Sequence, residues 1–125
     1  MAYNSTNAVE GKFDAKLPPD QILDGAIIGI NDGVVKDFIQ NTAKWQGSED
    51  NPAIEVVVEV NIGTVEVKKF EQIKHVFTYE NDSDGKTVYR GALKKFKEKY
   101  SDLPRPGIAV KVITNSKGFG KIKLD

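Results

Sequence analysis

The chain has 125 residues, no cysteine, and 18 basic against 18 acidic side chains, so its formal charge is zero. That length suits one domain with a core of its own, and the missing cysteines exclude a disulfide framework or a thiolate metal site. No apolar run approaches the roughly 20 residues needed to cross a bilayer, and the first ten residues lack the basic and apolar segments of a secretory leader. A soluble cytoplasmic protein is the expectation.

Residues 1–20 are small and polar, with Tyr3, Val9, Phe13 and Leu17 as scattered apolar positions. They end at Pro18-Pro19, which can neither extend a helix nor sit in a central strand. We read 1–20 as a flexible or loosely docked arm and 21–125 as the folded domain. Ile22 to Ile30 is β-rich, with Gly25 and Gly29 disfavouring a helix, and Asn31-Asp32-Gly33 carries turn chemistry. Val34 to Ile39 resumes a strand-like pattern. One long bent strand interrupted by a turn, or a small hairpin, would account for these residues, since glycine kinks and bulges let a strand curl around a barrel corner.

Residues 40–52 are loop by composition and contain the single tryptophan, Trp45, beside Lys44. Ile54 to Val60 alternates cleanly. Ile54, Val56, Val58 and Val60 should face a core, with Glu55, Val57 and Glu59 outward. A turn at 61–64 leads into a segment from Val65 to Tyr79 that mixes bases and aromatics. Its parity slips near Lys69 and Phe70, which a bulge or a break into two strands would explain. Asn81 to Gly85 is a turn, and Lys86 to Tyr89 returns briefly as strand. Gly91 to Ser101 predicts the one helix, with Leu93, Phe96 and Tyr100 on one stripe and Lys94, Lys95, Lys97 and Lys99 largely outside it. Pro104 and Pro106 bar its continuation. A last hairpin spans 108–124 and turns at Asn115 to Gly118. The chain is thus mainly β with one short helix, in the order of a five-stranded OB barrel whose helix joins strands 3 and 4.

No catalytic motif stands out. His75 is the sole histidine and has no cysteine or second histidine to share a zinc ion. Glu80, Asp82 and Asp84 alternate like a calcium loop, but the twelfth position is Gly91 rather than a bidentate glutamate. Gly118-Phe119-Gly120-Lys121 lacks the spacing of a phosphate loop. Neither an enzyme nor a cofactor is expected.

What remains is a surface. Residues 1–60 hold four Lys or Arg against ten Asp or Glu, and residues 61–125 hold fourteen against eight. Such asymmetry hints at an anionic partner, although sheet and helix faces that simply differ in charge would produce it too. Single-stranded nucleic acid is held by rings that stack on bases beside cations that meet phosphates. Lys44 and Trp45, then Lys68, Lys69, Phe70 and Lys74, then Lys117, Phe119 and Lys121 supply that interleaving. In an OB-fold these elements line the ligand groove, formed by strands 2 and 3 and the loops joining strands 1–2 and 4–5. Phe70 and Phe119 would serve equally well as core residues.

From Ile22 to Leu124 the chain resembles the small OB-fold single-stranded DNA-binding proteins of archaea, bacteria and viruses. The likeness rests on the Lys44-Trp45 loop, the strand Ile54 to Val60, the basic-aromatic stretch Lys68-Lys69-Phe70, the helix around Leu93 and Phe96, and the hairpin through Phe119-Gly120-Lys121. It implies a sequence-tolerant groove with Trp45, Phe70 and Phe119 as stackers. Single-stranded DNA, with RNA as the alternative, is the expected partner; a membrane is not, and a homo-oligomer fits equally. The rival expectation is a structural or protein-interaction barrel, such as a virion or assembly component.

Overall fold

A computed structural model describes residues 17–39, 49–64 and 66–125. Its strands are β1 (Ile22–Val34), β2 (Pro52–Asn61), β3 (Phe70–Thr78), β4 (Glu80–Asn81), β5 (Thr87–Val88), β6 (Ala109–Thr114) and β7 (Gly120–Ile122), and its helices are α1 (Val35–Phe38) and α2 (Gly91–Tyr100). Five strands form one sheet in the order β3-β2-β1-β6-β7, every adjacent pair antiparallel. The sheet curls until β7 meets β3, and α2 lies between the third and fourth barrel strands. This is the expected OB barrel, nearly closed. The short hairpin β4–β5 stands apart from it.

β1 makes the curl possible by pairing with two partners in succession. Its first half pairs with β6, from Ile22 opposite Ile113 to Ala26 opposite Ala109, and from Gly25 onward it pairs with β2. The register slips between Ile27 and Gly29, leaving Ile28 bulged outward and exposed. Gly25 sits where the walls converge: a Cβ there would lie 2.9 Å from Val58 Cγ1 and 3.1 Å from the Glu59 carbonyl oxygen. Only glycine fits between those neighbours unless the sheet opens.

Inside, Val56, Val58, Val60 and Val112 are fully buried with Ile27, Phe77, Phe96 and Ile122. α2 plugs one end. Phe96 meets Phe77 edge-on at 5.9 Å and Tyr100 at 4.7 Å, and the Tyr100 hydroxyl donates to the Lys123 carbonyl at 2.6 Å. Each such aromatic contributes about 1.5–3 kcal/mol of burial free energy. Leu17, the first described residue, is buried against the core, and Pro18 and Gln21 are tied to the hydroxyl of the buried Thr114.

Three elements depart from the expectation. Asn31-Asp32-Gly33 does not turn but continues β1 opposite Glu55, Ile54 and Ala53. The strand-like Val35 to Phe38 is instead one helical turn, held by the Val34 N–H donating to Asp37 Oδ2 at 2.9 Å. Its Val35 is fully buried, as is Ala53 of β2, so α1 covers that end of the sheet's outer surface. Finally, β3 begins only at Phe70. Residues 66–69 belong to a tight connection in which Thr64 N–H bonds the Val67 carbonyl and Ile62 N–H the Lys69 carbonyl.

Candidate nucleic-acid interface

Antiparallel pairing fixes which side chains leave the barrel. On β3, Phe70, Gln72, Lys74, Val76 and Thr78 point outward, opposite Asn61, Glu59, Val57, Glu55 and Ala53 of β2. Ile73, His75 and Phe77 point inward. Phe70 therefore does not fill the core; half of its surface is exposed (50%). Phe119 is exposed to a similar degree (43%). Of the two fates open to these rings, the structure takes the surface one.

β7 closes the barrel against β3 through side chains. Ile122 N–H donates to His75 Nδ1 at 3.1 Å, and a Cβ on Gly120 would lie 3.6 Å from Ile73 Cδ1. Both pairs have the same sequence offset, so β7 runs parallel to β3 in a definite register. That register carries Lys121 alongside Lys74 and Phe119 alongside Gln72, on the outer side of the seam. The His75 ring stacks on Phe77 at 4.3 Å with 5° between planes. Burial, assisted by the nearby Lys121 ammonium, lowers its pKa to about 4. The ring is thus neutral at pH 7, and an acceptor at Nδ1 leaves the proton on Nε2.

Short polar residues shape the turns at this rim. The Asn115 side-chain oxygen accepts from the N–H groups of Lys117 (2.9 Å) and Phe119 (3.0 Å), and Gly118 adopts φ +81°. At the β2–β3 connection, Asn61 accepts from Gly63 N–H and the Thr64 hydroxyl from Val67 N–H. Lys68 and Lys69 emerge from that connection, exposed, directly before Phe70. The turn falls at Asn115 to Gly118, as the sequence reads, and Gly118 N–H closes it on the Asn115 carbonyl at 3.1 Å.

Among the described residues, Lys68, Lys69, Lys117 and Lys121 make no ion pair. Lys74 differs: its ammonium reaches across the sheet to Glu55 at 3.8 Å, and Asn31 of β1 donates to the same carboxylate oxygen at 3.0 Å. Seven of the nine expected contact residues lie on or beside the β3–β7 rim. The other two, Lys44 and Trp45, lie outside the described residues.

A cleft of about 280 Å³ lies beside Phe119, lined by Ile113, Thr114, Asn115, Gly120 and Lys121. Two larger ones, of about 480 and 370 Å³, flank Tyr79 at the other end of β3. There the Tyr79 hydroxyl donates to Asp32 at 2.8 Å, and that hydrogen bond holds the phenol above its usual pKa. Among the described residues, no three His, Asp or Glu side chains come together as metal ligands, and no helix is long and apolar enough to cross a membrane. In comparisons with known proteins, no family model, no curated protein and no solved structure matches the chain.

Proposed function

We propose that this barrel is a non-enzymatic protein that binds single-stranded DNA, or RNA, with little sequence preference, along the outer rim of β3 and β7. One observation carries the proposal. Two exposed rings, Phe70 at the start of β3 and Phe119 directly before β7, have near them in sequence four lysines that lack ion-pair partners among the described residues. Exposed aromatic surface on a small protein costs solvation unless a partner covers it. A base covers a ring with about 1–3 kcal/mol of stacking, whatever its identity, which makes the binding sequence-tolerant. The lysines supply the phosphate contacts that such stacking alone cannot orient. An OB-like barrel is what the sequence resemblance to the small OB-fold single-stranded DNA-binding proteins implies, and a place in the cell interior, where DNA is unwound for replication, would follow from that likeness.

Titration of fluorescently labelled oligo-dT, followed by anisotropy at several salt concentrations, tests the proposal. Four phosphate contacts predict a log–log salt slope of about −3. Phe119→Ala and Phe70→Ala should each weaken binding about 5- to 150-fold with little change in that slope. Undetectable binding at low salt, or affinity indifferent to both rings, contradicts it.

Ile22 favours a second reading. It is exposed (58%) and pairs with Ile113, which lines the cleft beside Phe119. An apolar strip of that kind suits a protein partner or a further copy of the chain, as in a virion or assembly component. Its signature is association that barely responds to salt.

A further inference from the structure

We propose that Glu55, together with Glu59, steers a bound polynucleotide off the β1–β2 part of the outer face and onto the β3–β7 rim. The inference rests on the single-strand-binding reading above and assigns a path to the same site. Strands 2 and 3 of an OB barrel would ordinarily offer one continuous face. Here the outward side chains of β2 are Glu55, Val57 and Glu59, opposite Val76, Lys74 and Gln72 on β3 and opposite Asn31, Gly29 and Ala26 on β1. Lys74 is the one cation in that grid, and two carboxylates stand on the strand beside it.

Glu55 is a fixed charge rather than a mobile one. Its side chain is only 12% exposed, wedged between β1 and β3, and the Asn31 amide holds it at 3.0 Å. A flexible surface glutamate could swing away from an approaching phosphate, and this one cannot. It also holds the Lys74 ammonium of the neighbouring strand at 3.8 Å. A pair that long and that exposed on the lysine side contributes little to stability, so its consequence is for binding. While the carboxylate is charged, Lys74 has a competitor for any phosphate it meets. Lys121 on the neighbouring strand has no such competitor among the described residues. Polyanion potential is therefore repulsive over β2 and attractive along the seam, within one Debye length of about 8–10 Å.

Glu55→Gln keeps the shape and keeps an oxygen for Asn31 while removing the charge. Anisotropy titrations with labelled oligo-dT should give about 3- to 10-fold tighter binding at low salt. They should also give a salt slope steeper by about 0.7 as Lys74 gains a phosphate. In Glu55→Gln/Lys74→Gln the added slope should vanish. Glu59→Gln should tighten binding without steepening the slope, because it restrains no lysine. Circular dichroism melts confirm that each variant is folded. Wild-type binding with Glu55→Gln unchanged or weaker overturns the steering role and leaves the single-strand-binding reading standing. If neither wild type nor variant binds oligo-dT, both are overturned.

Discussion

His75 joins two strands that share no backbone ladder, and this makes it the residue whose ionisation matters most to the fold. Burial lowers its pKa to about 4, against 6.5 in the unfolded chain. The unfolded state therefore binds a proton more readily, and stability rises with pH across that window. Above about pH 6.5 the full contribution is present; it declines as pH falls to and below 4, by roughly 3 kcal/mol in total. Protonation also removes the acceptor from the Ile122 N–H, placing two donors face to face at the seam. Urea unfolding at pH 7.5 and 4.5 should show that loss in wild type, and His75→Gln, which offers an oxygen acceptor but no titrating proton, should lose much less. A wild-type midpoint independent of pH across that range contradicts the assignment. As a lone histidine between Lys74 and Val76, His75 reads from sequence as structural or as a surface contact. Its side chain is structural, and the bond to β7 comes only with closure.

At the scale of elements, β2 was the most legible because one of its faces is core and the other is not. Val56, Val58 and Val60 are fully buried, and Glu55 and Glu59 lie on the opposite face. α1 was the least legible. Val34 to Ile39 carries β-branched and aromatic side chains with good strand propensity. Yet two local contacts overrule that preference, the Asp37 cap and the burial of Val35 near Ala53. Asn31-Asp32-Gly33 misleads for the opposite reason: its turn chemistry is overridden by pairing along β2 and by Tyr79 reaching Asp32. β1 depends on close approach at its first glycine. Gly25→Val would drive a side chain into Val58 and the Glu59 carbonyl and should destabilise the fold by about 1–3 kcal/mol or more. Gly29→Ala, with open space where its Cβ would stand, should cost far less. Thermal melts of the two variants distinguish them, and equal melting temperatures would refute the packing account of β1.

For the molecule as a whole, closure converts distant sequence into one rim. Residues 68–74 and 117–121 are separated by a hairpin, a helix and β6, but the parallel contact of β7 with β3 sets them side by side. The interleaving of rings and bases in each segment was visible in the sequence because it is local. That Phe70 and Phe119 are surface rather than core was not, since both outcomes satisfy a mixed alternation and only the register decides. Lys74 was legible as a base on the third strand but not as the partner of Glu55, which needs two strand pairings at once. Charge asymmetry between the two halves of the chain survives folding only in part. β2 contributes its acids to the middle of the outer face, beside the basic rim rather than far from it.

The most direct measurement is a map of backbone amide shifts by NMR as oligo-dT is added to the isotope-labelled protein. Perturbations should concentrate at Lys68 to Phe70 and from Lys117 to Lys121, with Glu55 and Glu59 little affected. Perturbations confined to the clefts around Tyr79, or none at saturating oligonucleotide, would contradict binding along the rim.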